Sequence, residues 1–331
     1  MEKLDFVAIG DIVNDEFIEL SPEWTKVVTD TESGRELLAM NFGDKIEFKD
    51  FVIVPAVGNS PNAAVSAHRL GLRSALVTDM GDDDEGDQMM RQLEHEGVDR
   101  QFIRRHPGKK SNHHYVLRLA PERTILIKHE EYPYSLPDLG EPSWIYFSSV
   151  GNNSLPYHQE IATYVKNHPA SKLVFQPGSF QIKLGYEVLK SIYEASTLFF
   201  CNKEEAQSIV GKKELDIKQL LTAIHEKGPK IVVITDGPRG AYASDGTNAW
   251  HMPMYPDIAP PVDRTGAGDS FSSTFTSALA LGHDIPTALS WGPINSMSVV
   301  QEIGAQKGLL SQEAIQQYLQ NAPAEYTPTL L

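Results

Sequence analysis

The stretch that decides the fold runs from Val262 to Phe275 and reads VDRTGAGDSFSSTF. Gly266, Ala267 and Gly268 offer a backbone that can come close to a ligand and adopt conformations a side chain would block. Asp269 follows at once, where a helix begins: Phe271, Phe275 and Leu279 recur at four-residue spacing, which is one helical face. The first turn of such a helix leaves N–H groups unpaired and carries partial positive charge, so it makes a ready anion site. A carboxylate beside an anion site suits phosphoryl transfer. There, one group orients and deprotonates a hydroxyl while fixed donors stabilise charge on the transferred phosphate. The plainer reading of the same residues is a helix entry with a capping aspartate.

The chain around this motif has 331 residues, enough for one large α/β domain with an excursion rather than two equal domains. Its 29 basic and 44 acidic residues give a net charge of −15, which argues against nucleic acid or anionic lipid as the main partner. It leaves ATP open, because a few local donors and a metal decide that. One cysteine, Cys201, allows no disulfide framework and points to a reducing compartment. The opening MEKLDFVAIGD has no apolar leader and no run of about 18 apolar residues occurs, so a cytoplasmic protein without a membrane partner is expected. The closing NAPAEYTPTLL reads as a loose tail.

Short apolar runs at 4–9, 75–78, 144–148, 173–175, 198–201 and 231–235 alternate with helical patterns at 62–70, 87–95, 157–167, 203–210, 217–226, 270–281, 285–302 and 312–319. Near-continuous apolar strands alternating with helices predict a doubly wound, mostly parallel sheet buried on both faces, with ligands at the C-terminal strand ends. Two regions break the rhythm, about 16–55 and 102–129. The second carries HHYVLRL and RTILIKH around APE, a hairpin pattern, and the two together predict a small separate sheet within a single domain spanning 1–331. His113 and His114 are adjacent on that hairpin and face opposite ways, which makes them poor joint metal ligands. An ordinary hairpin histidine is the preferred reading over one facing the cleft.

Further motifs stand in order. GDIVND places Asp15 just past the first strand, where it can accept from two substrate hydroxyls; Asp11 and Asn14 are its neighbours, and a turn or cap is the competing role. In AVGNSPNAAVSAHRLG, Gly58 precedes a helix opened by Pro61, and Asn59 and Asn62 offer polar contacts for a polyol. DMGDDDEGD lacks calcium-loop spacing and reads as a solvated acidic turn. FFCNKEEA places Asn202 and Glu205 as a strand end followed by capping-box spacing. In VVITDGPRGAYASDG, a strand, a glycine turn and a second strand, Gly237 and Gly240 allow a tight loop where a nucleotide can lie, with Thr235 and Asp236 beside it. No GxxxxGK[ST] loop and no HExxH motif occurs. GAGDSF has Phe271 where a dinucleotide fingerprint needs glycine, which sets dehydrogenases aside.

Taken in this order, the motifs resemble those of the PfkB, or ribokinase-like, family of carbohydrate and nucleoside kinases. The family pattern DTxGAGDxF is matched except for Arg264, and GGxxxN except for Val57. The resemblance implies a ribokinase-like fold with a β-sheet lid over the sugar, and an ATP-dependent kinase phosphorylating a hydroxymethyl group. It implies Asp269 as general base, with Gly266, Ala267 and Gly268 as the anion hole. It implies Asp15, Gly58, Asn59 and Asn62 on the substrate and Asn202, Thr235, Gly237, Gly240 and Asn295 on the nucleotide side. Glu205 would reach magnesium through water. ATP and Mg2+ are the implied cofactors, a monovalent cation a further option, and a homodimer through the lid the implied assembly. Where several family members carry DxNxR, this chain has FQPGSFQ from Phe175 to Gln181. The acceptor therefore stays open between a sugar and a nucleoside, and a non-catalytic sugar or nucleotide sensor on the same scaffold is the alternative of another class.

Overall fold

A computed structural model describes residues 3–119 and 122–331. Among these, one ten-stranded sheet runs in the spatial order Thr329–Leu330, Ala249–Met252, Ala241–Ser244, Ile231–Thr235, Ser196–Asn202, Lys172–Phe175, Trp144–Phe147, Phe6–Ile9, Ser74–Gly81 and Ile103–His106. The seven strands from Ile231–Thr235 to Ile103–His106 are parallel; the three at the other edge are antiparallel. Alternate residues of these strands enter two different cores. Phe6, Ala8, Tyr146 and Phe200 pack on one face, and Val7, Ile9, Phe147 and Phe199 on the other. That burial on both faces is why the strands read as unbroken apolar runs. On the first face lie the helices Asn59–Arg69, Ala267–Ala280 and Ile285–Val299; on the second lie Leu155–Asn167, Tyr186–Ala195 and Ile217–His225. Strand order reverses between Phe6–Ile9 and Trp144–Phe147, the kind of switch point at which open α/β sheets bind ligands.

The smaller sheet has the order Phe48–Val57, Val13–Leu20, His113–Leu119, Glu122–Lys128. A separate hairpin, Thr25–Thr29 with Glu36–Met40, extends from it in sequence. Three expectations are corrected. Ile103–His106 pairs with the main sheet, so the second excursion begins after it and not at 102. The C-terminal segment is no loose tail: Thr329 and Leu330 pair with His251 and Trp250, and Tyr326 is buried with its hydroxyl donating to the Ser290 carbonyl. The acidic turn is only partly solvated, because Asp79 is buried between Arg104 and His106 and Asp83 caps the Asp84–His95 helix. Helices Ser179–Leu184 and Tyr186–Ala195 were not expected; Gly178 and Gly185 bound them and divide the pattern. Of the APE stretch around which the hairpin was expected, Ala120 and Pro121 lie outside the described residues.

Candidate active site

Gly266 initiates the Ala267–Ala280 helix with φ of 80°, and a Cβ there would lie 2.3 Å from the Ala305 Cβ. Only glycine meets both conditions. Asp263 shapes the approach, accepting from Thr265 N–H and hydroxyl with one oxygen and from Gly304 N–H with the other. Ser270 N–H closes the first intrahelical bond, to Gly266 C=O at 2.8 Å. The N–H groups of Gly268 and Asp269 therefore precede the helical ladder. Nothing lies within 4 Å of where a Gly268 Cβ would stand, so a ligand can approach that backbone closely.

Asp269 is half-buried and its carboxylate is surrounded by amides. Asn59 Nδ2 donates to Oδ1 at 2.6 Å, Asn62 Nδ2 to Oδ2 at 2.9 Å and Gln176 Nε2 to Oδ1 at 3.3 Å. Two of these amides are oriented by second bonds. Asn62 Oδ1 accepts from Gln306 Nε2 at 3.0 Å, and Gln176 Oε1 accepts from the Ser272 hydroxyl at 3.0 Å and from Tyr146. Their NH2 groups are thereby turned to the carboxylate. Burial raises the Asp269 carboxyl above its usual range; the three amides oppose that shift and the Asp15 charge adds to it.

Gly58, with φ of 124°, would place a Cβ 2.7 Å from the Asp11 carbonyl oxygen, so it allows two loops to meet. Val57, standing where a first glycine is usual, is buried. The strain falls one residue earlier, at Ala56 with φ of 61°. Ala56 is held by Asn14 Oδ1, which accepts its N–H, and by Gln306 Nε2, which donates to its carbonyl. Asp15 is buried on Val13–Leu20, and His114 Nδ1 lies 3.1 Å from its Oδ1.

A cleft of about 380 Å³ adjoins the start of the Ala267–Ala280 helix. Thr235, Gly237 and Gly240 line one side, with Ala267, Gly268 and Arg264 at the helix start, and apolar Phe271, Met297 and Val300 deeper. Asp236 sits behind its loop, held low in pKa first by Arg239 and further by Lys203.

The pattern of the pfkB family carbohydrate kinases matches residues 33–312. The chain belongs to that family. It is 26% identical over 284 residues to ribokinase of Bacillus subtilis (strain 168), covering 84% of this chain and 92% of that protein. The structure of Arabidopsis thaliana ribokinase complexed with ribose and ATP is similar in fold, with a TM-score of 0.79 at 18% identity over 96% of this chain and 99% of that one. Methanocaldococcus jannaschii nucleoside kinase has a TM-score of 0.75 at 17% identity over 96% and 99%. The expected ribokinase-like fold is thus found, and the chain is a PfkB-type kinase.

Within this PfkB chain, Asn202 and Glu205 form the reciprocal capping box: Asn202 Oδ1 accepts Glu205 N–H and Glu205 Oε2 accepts Asn202 N–H, both at 2.8 Å. Burial raises the Glu205 carboxyl. Asn295 does not line the cleft. It is fully buried, donating to the Thr274 hydroxyl and accepting from Leu310 N–H, because its helix turns Ser296 and Met297 toward the opening instead. Gln176, Gln306 and His129 escaped the sequence reading. Each joins the site through chain segments far apart in sequence, and none lies in a spacing that signals chemistry. Among the described residues no helix is long and apolar enough to cross a membrane.

Proposed function

We propose that this chain is an ATP-dependent phosphotransferase that phosphorylates a hydroxymethyl group of a small sugar, with Asp269 as general base. The observation that carries the reading is the Asp269 carboxylate, oriented by three amides, one residue from the unpaired N–H of Gly268. Base and anion hole thus share one helical turn. A sugar hydroxyl bonded to Asp269 loses its proton there as the oxygen attacks the terminal phosphorus of ATP and the bond from that phosphorus to the departing ADP oxygen breaks, while the N–H groups of Ala267, Gly268 and Asp269 stabilise charge on the transferred group. Asp15, Asn59 and Asn62 hold the other hydroxyls. The donor's base lies in the apolar part of the cleft and its phosphates at Gly268, beside the cationic Arg264.

The residues fit the implied cofactors. The cleft is apolar inside and ends on a helix N-terminus, and Glu205 uses one carboxylate oxygen in its cap, leaving the other for a hydrated cation. Magnesium, when bound, supplies neutralisation of phosphate charge. The smaller sheet covers the sugar, excluding water as a competing acceptor. The reading is tested by following ADP formation with ATP and magnesium across pentoses, hexoses, ketodeoxy acids and nucleosides. Turnover with a sugar supports it. Turnover confined to nucleosides corrects the acceptor, and tight binding without turnover for any of them supports a sensor instead.

A further inference from the structure

Two histidines span the acceptor end of the site. His114 on His113–Leu119 and His129, just beyond Glu122–Lys128, face each other with Nε2 to Nε2 at 2.9 Å. Outward, His114 Nδ1 meets Asp15 Oδ1 at 3.1 Å and His129 Nδ1 lies 3.4 Å from Asp11 Oδ2. Tyr134 donates to the other Asp11 oxygen at 2.8 Å and is itself held by Gly151 N–H at 2.9 Å. The Phe180 ring stands edge-on to His129, 6.4 Å between centroids. The four groups form one chain, Asp15–His114–His129–Asp11, joining the smaller sheet to the loop after the first strand of the main sheet.

Its proton content is bounded by geometry. Two ring nitrogens facing at 2.9 Å share one hydrogen, since two hydrogens would collide and none would set lone pair against lone pair. The four ring nitrogens therefore carry at most three hydrogens, and the pair at most one positive charge. Three hydrogens is also the state in which both outer nitrogens donate to carboxylates. His129 Nδ1, buried and otherwise without a hydrogen-bond partner, then meets Asp11. Two carboxylates and one positive charge leave the chain at −1 or below. Among the described residues the ion pairs of Asp11 and Asp15 run to these histidines and not to lysine or arginine. Lys183 is exposed, with its ammonium against the Phe180 ring at 5.9 Å.

We propose that the Asp15–His114–His129–Asp11 chain is the specificity element of the acceptor site, selecting uncharged or amino-bearing polyols and rejecting sugar acids and sugar phosphates. The proposal rests on the kinase reading for the site's location. An anionic acceptor meets net negative charge next to a further carboxylate, Asp269, and like charges at close range disfavour it. His114 and His129 act as positioning residues: they fix Asp15 and Asp11 in register, so that acceptor hydroxyls find carboxylate oxygens already placed.

The test uses acceptor pairs that differ in charge: sorbitol with gluconate, fructose with fructose 6-phosphate, glucosamine with glucosamine 6-phosphate. Binding is measured by calorimetry and turnover with ATP and magnesium. The neutral or amino member is expected to bind at least tenfold more tightly than its acid or phosphate counterpart. His114→Phe should raise the acceptor KM roughly tenfold or more with the ATP KM unmoved. His114→Asn, which keeps a donor where Nδ1 stands, should recover much of that loss. Equal or tighter binding of the anionic members, no measurable binding of any member, or a His114→Asn variant no better than His114→Phe would overturn the proposal. If the charge ranking holds without turnover, the kinase reading fails while this inference stands. If His114→Phe does not fold, the ranking and His114→Asn still decide.

Discussion

At Asp269 three amides converge on one carboxylate, and two of them can present nitrogen only because their oxygens are already engaged, by Gln306 and by Ser272 with Tyr146. The base is thus held before substrate arrives. Because burial raises its pKa and only the ionised form accepts a proton, activity is lost as pH falls through a value above the usual carboxylate range of ~3.9. A kcat/KM profile whose acid limb stays at the ordinary aspartate value contradicts this assignment. Asp15→Ala should raise the acceptor KM more than tenfold with little change in ATP KM, since hydrogen bonds to a charged group contribute roughly 1.5–3 kcal/mol. Equal loss for both substrates indicates structural damage. Much of the residue scale was legible: Asp269, Asn59, Asn62 and Asp15 were singled out on type and place. The histidine chain was not, because His114 meets Asp15 only through the parallel pairing of Val13–Leu20 with His113–Leu119, a register that no local pattern encodes.

The elements divide in the same way. Strands buried on both faces and helices such as Lys203–Val210 declare themselves by period and composition. Ile103–His106 did not, because four residues of which none is buried, two of them arginine, read as part of the irregular stretch until their pairing with Thr78–Gly81 is seen. The family resemblance put Asn295 on the nucleotide side, yet neighbouring residues on one helix face different ways, and its side chain fell on the buried side. Gly266→Ala tests the helix entry. With φ of 80° and a Cβ set against Ala305, the variant should lose about 2 kcal/mol or more and most of its turnover; a melting temperature and kcat like the natural protein's contradict the account. Glu205→Gln separates cap from cofactor. A higher magnesium requirement at unchanged acceptor KM is expected, whereas an unchanged magnesium curve with a lower melting temperature assigns Glu205 to the cap alone, a loss of about 1 kcal/mol.

Over the whole molecule, the smaller sheet leaves apolar residues uncovered on both faces. Phe51, Val52 and Ile53 are 40–51% exposed in sequence along one edge strand, and Ile125, Leu126 and Ile127 are 40–61% exposed along the other. Unpaired apolar edges of that length are normally hidden, and a second copy hides them by self-pairing. Light scattering should therefore give about twice the 36.7 kDa chain mass, and a mass near 36.7 kDa contradicts the dimer. The central claim is chemical, and with the acceptor found in the screen the turnover of Asp269→Asn is its most direct measurement. The variant should keep its fold and its nucleotide binding while kcat falls by about 10² to 10⁴. A kcat within a few-fold of the natural protein's would make Asp269 a helix cap and remove the base from the mechanism.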